Sequence, residues 1–444
     1  MFRLIVVNPG DLLAVGLRLG RTPLRNFMLK VLFVVPSFPL PPHSGGAIAA
    51  LETLLSIADK CNLHLLTPSP ETNSESNVSA LKEMLPQATM HFYEARVLQT
   101  PRFEMYKTAA LTTVTGKSYW AMNWHNRELR RAVLRLWAAN GFDVVHSEWL
   151  QTAVSIWDLN IPLLIRTLDV HFLVMRQWSD GIPSTDRLRK SFWRLQAERF
   201  RLFEARILSA ASGVVTMSAE DEAELRAEGV TNIQTIPPPR AVEKSHMPVS
   251  KTDTRCVAVF IGRLDMPVNR EAFFIFADLI WSKIGPAVRQ NARVIFAGGL
   301  PDEALRQRAA SEGIELQAPL SDEHGKELFQ SADLFFSPVR SGTGIKIKTV
   351  EAMAQGKPMV GFRNAYRGVP AEHGRHALIA DSEEEFAKSM QLLISDEGLR
   401  HELGNNARQF VRDHFNPAVL SAKLIEFYQK VADTSIPRNE ARSA

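Results

Sequence analysis

The stretch Ser337-Pro-Val-Arg-Ser-Gly-Thr-Gly-Ile-Lys-Ile-Lys-Thr-Val-Glu-Ala-Met-Ala-Gln-Gly-Lys-Pro358 decides how this chain folds. The apolar run at 334–337 predicts a short strand that feeds a loop containing Gly342 and Gly344. The spacing of Ile347, Val350 and Ala354 predicts a helix from about Lys346. Gly356 caps that helix and Pro358 cannot extend it. Strand, glycine loop and helix in this order are the unit of a doubly wound parallel sheet. The loop also presents backbone amides at a helix N-terminus, where partial positive charge favours an anion, and Lys346 and Lys348 add formal charge beside that seat.

The same alternation runs outward in both directions. Strands are predicted at 257–261, 293–297, 314–317, 358–362 and 377–380, with helices at 270–284, 302–311 and 383–394. An earlier series has strands at 30–35, 63–67, 89–93, 143–146, 163–166, 213–217 and 233–236, with helices at 47–59, 127–139 and 191–208. Pro237-Pro-Pro239 and the polar stretch to Asp253 separate the two series as a semi-rigid linker. The expected division is an N-terminal domain at 28–236, a linker at 237–253, a C-terminal domain at 254–415, and a helix and tail at 416–444. The fold class is α/β, two Rossmann-like doubly wound domains facing across a cleft. Residues 1–27, with Pro9, Asp11 and several arginines, do not read as a secretory signal and are expected to be an extension outside the fold.

Composition agrees. A chain of 444 residues is too long for one ordinary core and suits two domains of about 200 residues. A net charge of +4 over so large a surface is compatible with anionic small molecules or an anionic membrane face, and argues against nucleic acid as a partner. Cys61 and Cys256 are far apart and lack CxxC or Cys/His spacing, which excludes a disulfide framework and a structural zinc site and fits a reducing cytosol. No apolar run reaches the roughly 18 to 20 residues of a membrane span.

Several residues carry two readings each. Gly45 and Gly46 lie at a strand-to-helix turn, where they admit a ligand to backbone amides or simply make a tight turn. Gly262 and Arg263 end a strand, where the guanidinium grips a phosphate with two parallel bonds or is an ordinary surface arginine. Glu351, one turn beyond Ile347, accepts hydrogen bonds from vicinal hydroxyls or pairs with Lys348 at i,i+3. The stretch 176–206 holds eight Lys/Arg against four acids, interleaved with Trp178, Phe192, Trp193, Phe200 and Phe203. It lies on an anionic bilayer, or is a solvated basic helix with a packed aromatic side.

Taken in order, these residues resemble the retaining glycosyltransferases of family 4, which have the GT-B fold, over about residues 29–430. The matching points are Ser44-Gly-Gly46, Phe142-Asp-Val-Val-His146, Phe203-Glu-Ala-Arg206 with Gly213 to Asp221, Gly262-Arg263 with Asn269, Gly342 to Ala354, and Gly374-Arg-His-Ala-Leu-Ile-Ala-Asp381 through Leu403 to Arg408. The resemblance implies a UDP- or GDP-sugar donor and a glycan or lipid-linked acceptor, in polysaccharide or glycoconjugate synthesis. It makes Arg263, Lys346 and Lys348 the groups that neutralise the leaving diphosphate, with Gly262, Gly342, Thr343, Gly344 and Ile345 shaping the seat. Glu351 would bind the donor ribose, and Gly45 and Gly46 would lie across the cleft near sugar and acceptor. No metal or other cofactor and no protein nucleophile are implied, because retention in this fold is thought to proceed by front-face attack assisted by the leaving phosphate. A cytoplasmic enzyme, peripheral on the inner face of the membrane through 176–206, is expected.

Three positions depart from the family pattern. Thr343 stands where many members have the first of two glutamates. Val268 falls near a frequent diphosphate-binding lysine, whose charge Lys346 or Lys348 supplies instead. In Arg166-Thr-Leu-Asp-Val-His171, Leu168 stands where a histidine is common, and His171 is either its substitute or a structural histidine. Two rival functions follow, a non-catalytic sugar-binding or scaffolding subunit and another GT-B enzyme such as a sugar-nucleotide epimerase, for which no carboxylate and histidine set matches.

Overall fold

The computed structural model describes residues 28–42, 44–69, 75–94, 107, 108, 111, 112, 114–242, 254–320 and 322–435. The expected extension at 1–27, residues 243–253 of the expected linker and residues 436–444 of the expected C-terminal helix and tail lie outside the described residues. Strands β1 (Lys30–Val34), β2 (Asn62–Pro68), β3 (Thr89–Tyr93), β4 (Val144–Glu148), β5 (Leu163–Arg166), β6 (Gly213–Thr216) and β7 (Ile233–Thr235) form one sheet in the order β3-β2-β1-β4-β5-β6-β7. Strands β8 (Cys256–Gly262), β9 (Ala292–Gly298), β10 (Glu315–Gln317), β11 (Leu334–Ser337), β12 (Met359–Phe362) and β13 (Leu378–Ala380) form a second, ordered β10-β9-β8-β11-β12-β13. Every pairing is parallel. Each strand expected from the sequence is present to within two residues at either end.

Helices cover both faces of each sheet, so central strands are apolar throughout; Val31, Leu32, Phe33 and Val34 are all fully buried. In the second sheet Phe336 packs tilted against Phe276 (4.7 Å between ring centroids) and edge-on to Phe296 (5.2 Å), which fixes β11 relative to its neighbours. Strand order reverses between β1 and β4 and again between β8 and β11. In a doubly wound sheet that reversal opens a crevice at the carboxyl ends of the strands. The helix Gly45–Ile57 follows β1, Arg263 follows β8, and the loop 338–346 with the helix Ile347–Ala354 follows β11. Both crevices are therefore lined by the segments singled out above.

Three elements differ from the expectation or add to it. The helix expected at 270–284 is α only over Pro267–Phe274, then widens into a π turn at Ile275–Ile280 and tightens at Trp281–Lys283. The Trp281 indole donates to the Glu312 carbonyl (3.2 Å) and stacks on Phe276, which holds that irregular end in place. The linker opens with Pro238 and Pro239 buried, and the Arg240 amide donates to the Phe415 carbonyl (2.8 Å), so its start is packed structure. The last helix, Pro417–Ser435, returns to the N-terminal sheet. Tyr428 OH lies 2.6 Å from His146 Nδ1 on β4, and a Cβ at Gly213 on β6 would come within 2.7 Å of Val431.

The basic stretch forms the helices His171–Asp180 and Arg187–Ala210. One side is packed: Trp193 lies 5.2 Å from Trp120 and 4.9 Å from Trp178, and Phe200 is fully buried. Arg194 pairs with Asp180 and Arg201 with Glu198 and Glu228. The other side exposes Leu188 (88%), Leu195 (47%) and Leu202 (63%), a stripe at seven-residue spacing. Among the described residues no helix is long and apolar enough to cross a membrane.

Candidate active site between the two sheets

The N-termini of the helices Gly45–Ile57 and Ile347–Ala354 meet across the cleft. A Cβ at Gly45 would stand 3.3 Å from the Ile347 side chain. One at Gly46 would come within 2.7 Å of Leu168 and 2.8 Å of Trp149, so the turn has no room for a side chain there. Ser44 caps its helix by accepting from the Ala47 amide (3.2 Å). Trp149 is the only described residue other than glycine with a positive φ (66°), the kind of backbone strain that persists where surrounding structure enforces it. Its indole nitrogen is buried and has no hydrogen-bond partner among the described residues.

The loop after β11 closes onto the N-terminal domain. Gly344 has φ +68°, and a Cβ there would lie 2.0 Å from Asp169 Oδ1 and 2.9 Å from the Leu168 carbonyl, so glycine alone fits. The Thr343 hydroxyl donates to the same Asp169 oxygen (3.1 Å). Lys346 curls back over the loop, its ammonium donating to the carbonyls of Thr343 (2.7 Å) and Gly344 (3.4 Å). Burial lowers the Lys346 pKa below the usual lysine value, while Asp169 and Asp221 act to keep it protonated. In the first turn of the helix Ile347–Ala354 the Thr349 and Val350 amides donate to the Lys346 carbonyl (2.9 and 3.3 Å), which leaves the Ile347 and Lys348 amides, beside Lys346, as an anion seat.

Farther along that helix Glu351 is mostly buried. Its Oε2 accepts from Lys348 (3.0 Å), and its Oε1 lies 3.5 Å from Arg240. Arg240 also bonds Glu52 on the helix Gly45–Ile57, so one guanidinium from the linker bridges a carboxylate of each domain. Burial pushes the Glu52 carboxyl up to about 7, against the pull of Arg240. Arg263 pairs with Asp265 (2.5 Å) and is largely exposed, with its carbonyl held by Asn269 (2.9 Å). Gly262 lies beneath that asparagine, where a Cβ would come within 2.9 Å of the amide nitrogen.

Gly45, Gly46, Gly342, Thr343, Gly344, Ile345, Lys346, Lys348 and Glu351 thus converge on one interdomain surface. Ile345 is buried there, packed beneath Gly368. Gly262 ends β8 and Arg263 follows it, and farther along that segment Val268 lies 3.9 Å from a Cβ placed at Gly342. His171 does not reach the loop. Its amide and that of Phe172 donate to the Glu204 carboxylate (3.1 and 2.8 Å), and its ring packs against Trp124. Glu204 thereby caps the helix His171–Asp180 through backbone amides, while the ring Nδ1 stands 3.6 Å from Glu204 Oε1 with no hydrogen-bond partner among the described residues. Burial opposes its protonation, but Glu204 and Asp169 together raise the His171 pKa above the ordinary value. The residues that sequence reasoning did not single out are Asp169, Trp149, Arg240 and Glu52. Asp169 lies inside a segment noted for its neighbours Leu168 and His171, and an acid beside a strand end facing a glycine loop was the available signal. Among the described residues no three His, Cys, Asp or Glu side chains are grouped to hold a metal ion.

Two facing parallel sheets with this crevice define a GT-B fold. The family Glycosyl transferases group 1 matches residues 255–396, within the C-terminal domain. Similar solved structures include Anabaena Alr3699/HepE in complex with UDP and glucose, at 14% identity over 90% of this chain and 99% of that one with a TM-score of 0.62. Sucrose-phosphate synthase from Thermosynechococcus elongatus is similar at 16% identity, over 91% of this chain and 100% of that one, with a TM-score of 0.65. These likenesses concern the fold. Among curated proteins, an uncharacterized 44.6 kDa protein of the cps region of Klebsiella pneumoniae is 27% identical over 190 residues, 39% of this chain. The phosphatidyl-myo-inositol mannosyltransferase of Mycobacterium leprae is 26% identical over 184 residues, also 39% of this chain. The chain spans about half the length of these curated relatives, 47% and 46%. The fold expected from the sequence is the one found, and the family match agrees with the expected resemblance over residues 255–396.

Proposed function

We propose that this chain is a glycosyltransferase that moves a hexose from a UDP- or GDP-sugar to a glycan or lipid-linked acceptor with retention of configuration. The observation that carries the reading is the seat formed by Gly342–Lys346 and the first turn of the helix Ile347–Ala354, with Glu351 one turn on and the Ser44-Gly45-Gly46 turn opposite. The group 1 family match and the UDP, UDP-glucose and glucose bound by the Anabaena protein support a nucleotide-sugar donor.

In the reaction the bond from the anomeric carbon to the β-phosphate breaks, and a bond to the acceptor oxygen forms on the same face. The acceptor proton passes to the departing diphosphate. Loop amides and Lys346 stabilise the charge that develops there, and Arg263 exchanges Asp265 for a phosphate oxygen. Lys348 adds a third cation once Glu351 turns to the ribose hydroxyls. These cations make a metal unnecessary for charge neutralisation. The exposed Leu188, Leu195 and Leu202 stripe, flanked by arginines, suits docking on an anionic membrane face where a lipid-linked acceptor resides.

Thermal unfolding with UDP, GDP, ADP and their hexose conjugates tests the site. A ligand at about 100 times its Kd adds roughly 2.7 kcal/mol of stability. A stabilisation by one nucleoside diphosphate that survives Asp302→Ala but is lost in Lys346→Ala supports the reading. Equal stabilisation of all three proteins removes the site assignment. Donor turnover abolished in Glu351→Ala separates a transferase from a non-catalytic binding subunit.

A further inference from the structure

We propose that Asp169 is a specificity-determining residue, an N-terminal-domain carboxylate that accepts hydrogen bonds from hydroxyls of the donor hexose. The inference rests on the nucleotide-sugar reading above. Asp169 Oδ1 lies where the donor loop closes on the other domain, bonded to Thr343 (3.1 Å) and opposite Gly344, which leaves it room only by lacking a Cβ. Its charge enters no ion pair among the described residues. The nearby Lys346 ammonium is engaged by two loop carbonyls, and Arg367 is engaged by Asp221 (2.8 Å).

A partly buried carboxylate that acts on Lys346 only through space and forms no ion pair, beside a seat for two phosphates, is repelled by that ligand and is no phosphate group's partner. What it accepts are neutral donors. Next to a diphosphate seat in this chemistry, neutral donors arrayed within reach of one carboxylate are the hydroxyls of the attached sugar ring. Bonds of this kind, hydroxyl to carboxylate, are charge-assisted and directional, and they discriminate between epimers by where each hydroxyl points. The Thr343 hydroxyl aims the carboxylate, and Leu168 and Trp149, packed over Gly46, set an apolar wall beside it.

The test compares the full chain with Asp169→Asn, measuring Kd by calorimetry for UDP, GDP and ADP and for their glucose and mannose conjugates. The expected result is a split. The nucleoside diphosphate binds the variant as it binds the wild type, while its hexose conjugate binds roughly tenfold or more weakly, the loss typical of a charged hydrogen bond. Should Asp169→Asn fail to fold, Asp169→Ser, a smaller neutral replacement at the same position, is expected to give a split of the same sign. Equal weakening of diphosphate and conjugate would make Asp169 a clasp between domains and overturn the proposal. Unchanged affinity for both, or a loss that appears only when an acceptor is added, overturns it as well. If no nucleotide or conjugate binds the wild type, the donor reading itself fails.

Discussion

Replacing Glu52 with glutamine should stabilise the protein in alkali and leave it nearly unchanged in acid. Glu52 is 22% exposed and shares Arg240 with Glu351, with Arg166 the other cation acting on it. Burial carries its carboxyl from 4.5 to about 7 despite both arginines. Because the folded value lies above the unfolded one, the unfolded chain releases this proton first as pH rises. Stability is therefore lost between 4.5 and about 7, and the loss is complete above that window. At about 1.4 kcal/mol per tenfold, the full loss is about 3 kcal/mol. Glutamine has no proton to release and keeps a similar shape. Relative to wild type, Glu52→Gln should then gain about 2 to 3 kcal/mol between about pH 5 and about pH 8, a rise of roughly 5 to 10 °C in relative Tm for a domain of about 200 residues. Thermal unfolding of both proteins across that range measures it, and the pH effects of every other group cancel in the difference. Parallel curves for the two proteins would refute the assignment of a protonated, desolvated carboxyl at this interdomain bridge.

Other expected outcomes follow from single contacts. Gly344→Ala, at φ +68° and 2.0 Å from Asp169, should hold the loop off the N-terminal domain and weaken nucleotide-sugar binding at least about tenfold; wild-type affinity by calorimetry would contradict this. Tyr428→Phe removes the 2.6 Å bond to His146 and leaves a buried ring nitrogen unpaired, so urea unfolding should show a loss of about 1 to 3 kcal/mol. His171, with its folded pKa raised, contributes stability that is present below 6.5 and lost as pH rises through the folded value. Its ring resonances should titrate above 6.5 by NMR and move down in Glu204→Gln; titration below 6.5 in the wild type would rule out the pairing with Glu204.

The strands were legible because a sheet covered on both faces must be apolar along its length, and glycine and proline punctuate each run. The helix Ile347–Ala354 and its loop were legible for the same local reasons, down to the i,i+3 pairing of Lys348 with Glu351. What escaped the sequence is what topology assembles. Thr343 and Asp169 are 174 positions apart, and Arg240 and Glu52 are 188 apart. No spacing rule connects them, because each pair meets only when the two sheets face each other. His171 shows the same limit: Glu204, 33 residues away on the next helix, accepts from the His171 backbone amide and lies 3.6 Å from its ring, a meeting no local pattern announces. The irregular turns at Ile275–Ile280 escaped too, since a π turn and an α turn bury the same apolar residues.

The return of the helix Pro417–Ser435 to the first sheet bears on how the molecule is made. His146, Glu148 and Arg166 form a buried polar group whose lid is Tyr428, 282 positions downstream of His146. A nascent chain emerging from the ribosome presents the first domain long before that lid exists. Until then the β4 and β5 surface and the Gly213 notch remain wet and unfilled. The first domain made is thus the last to be finished, and its maturation waits on translation of the final helix. Truncation near the C-terminus should accordingly be felt first in the half of the molecule synthesised earliest.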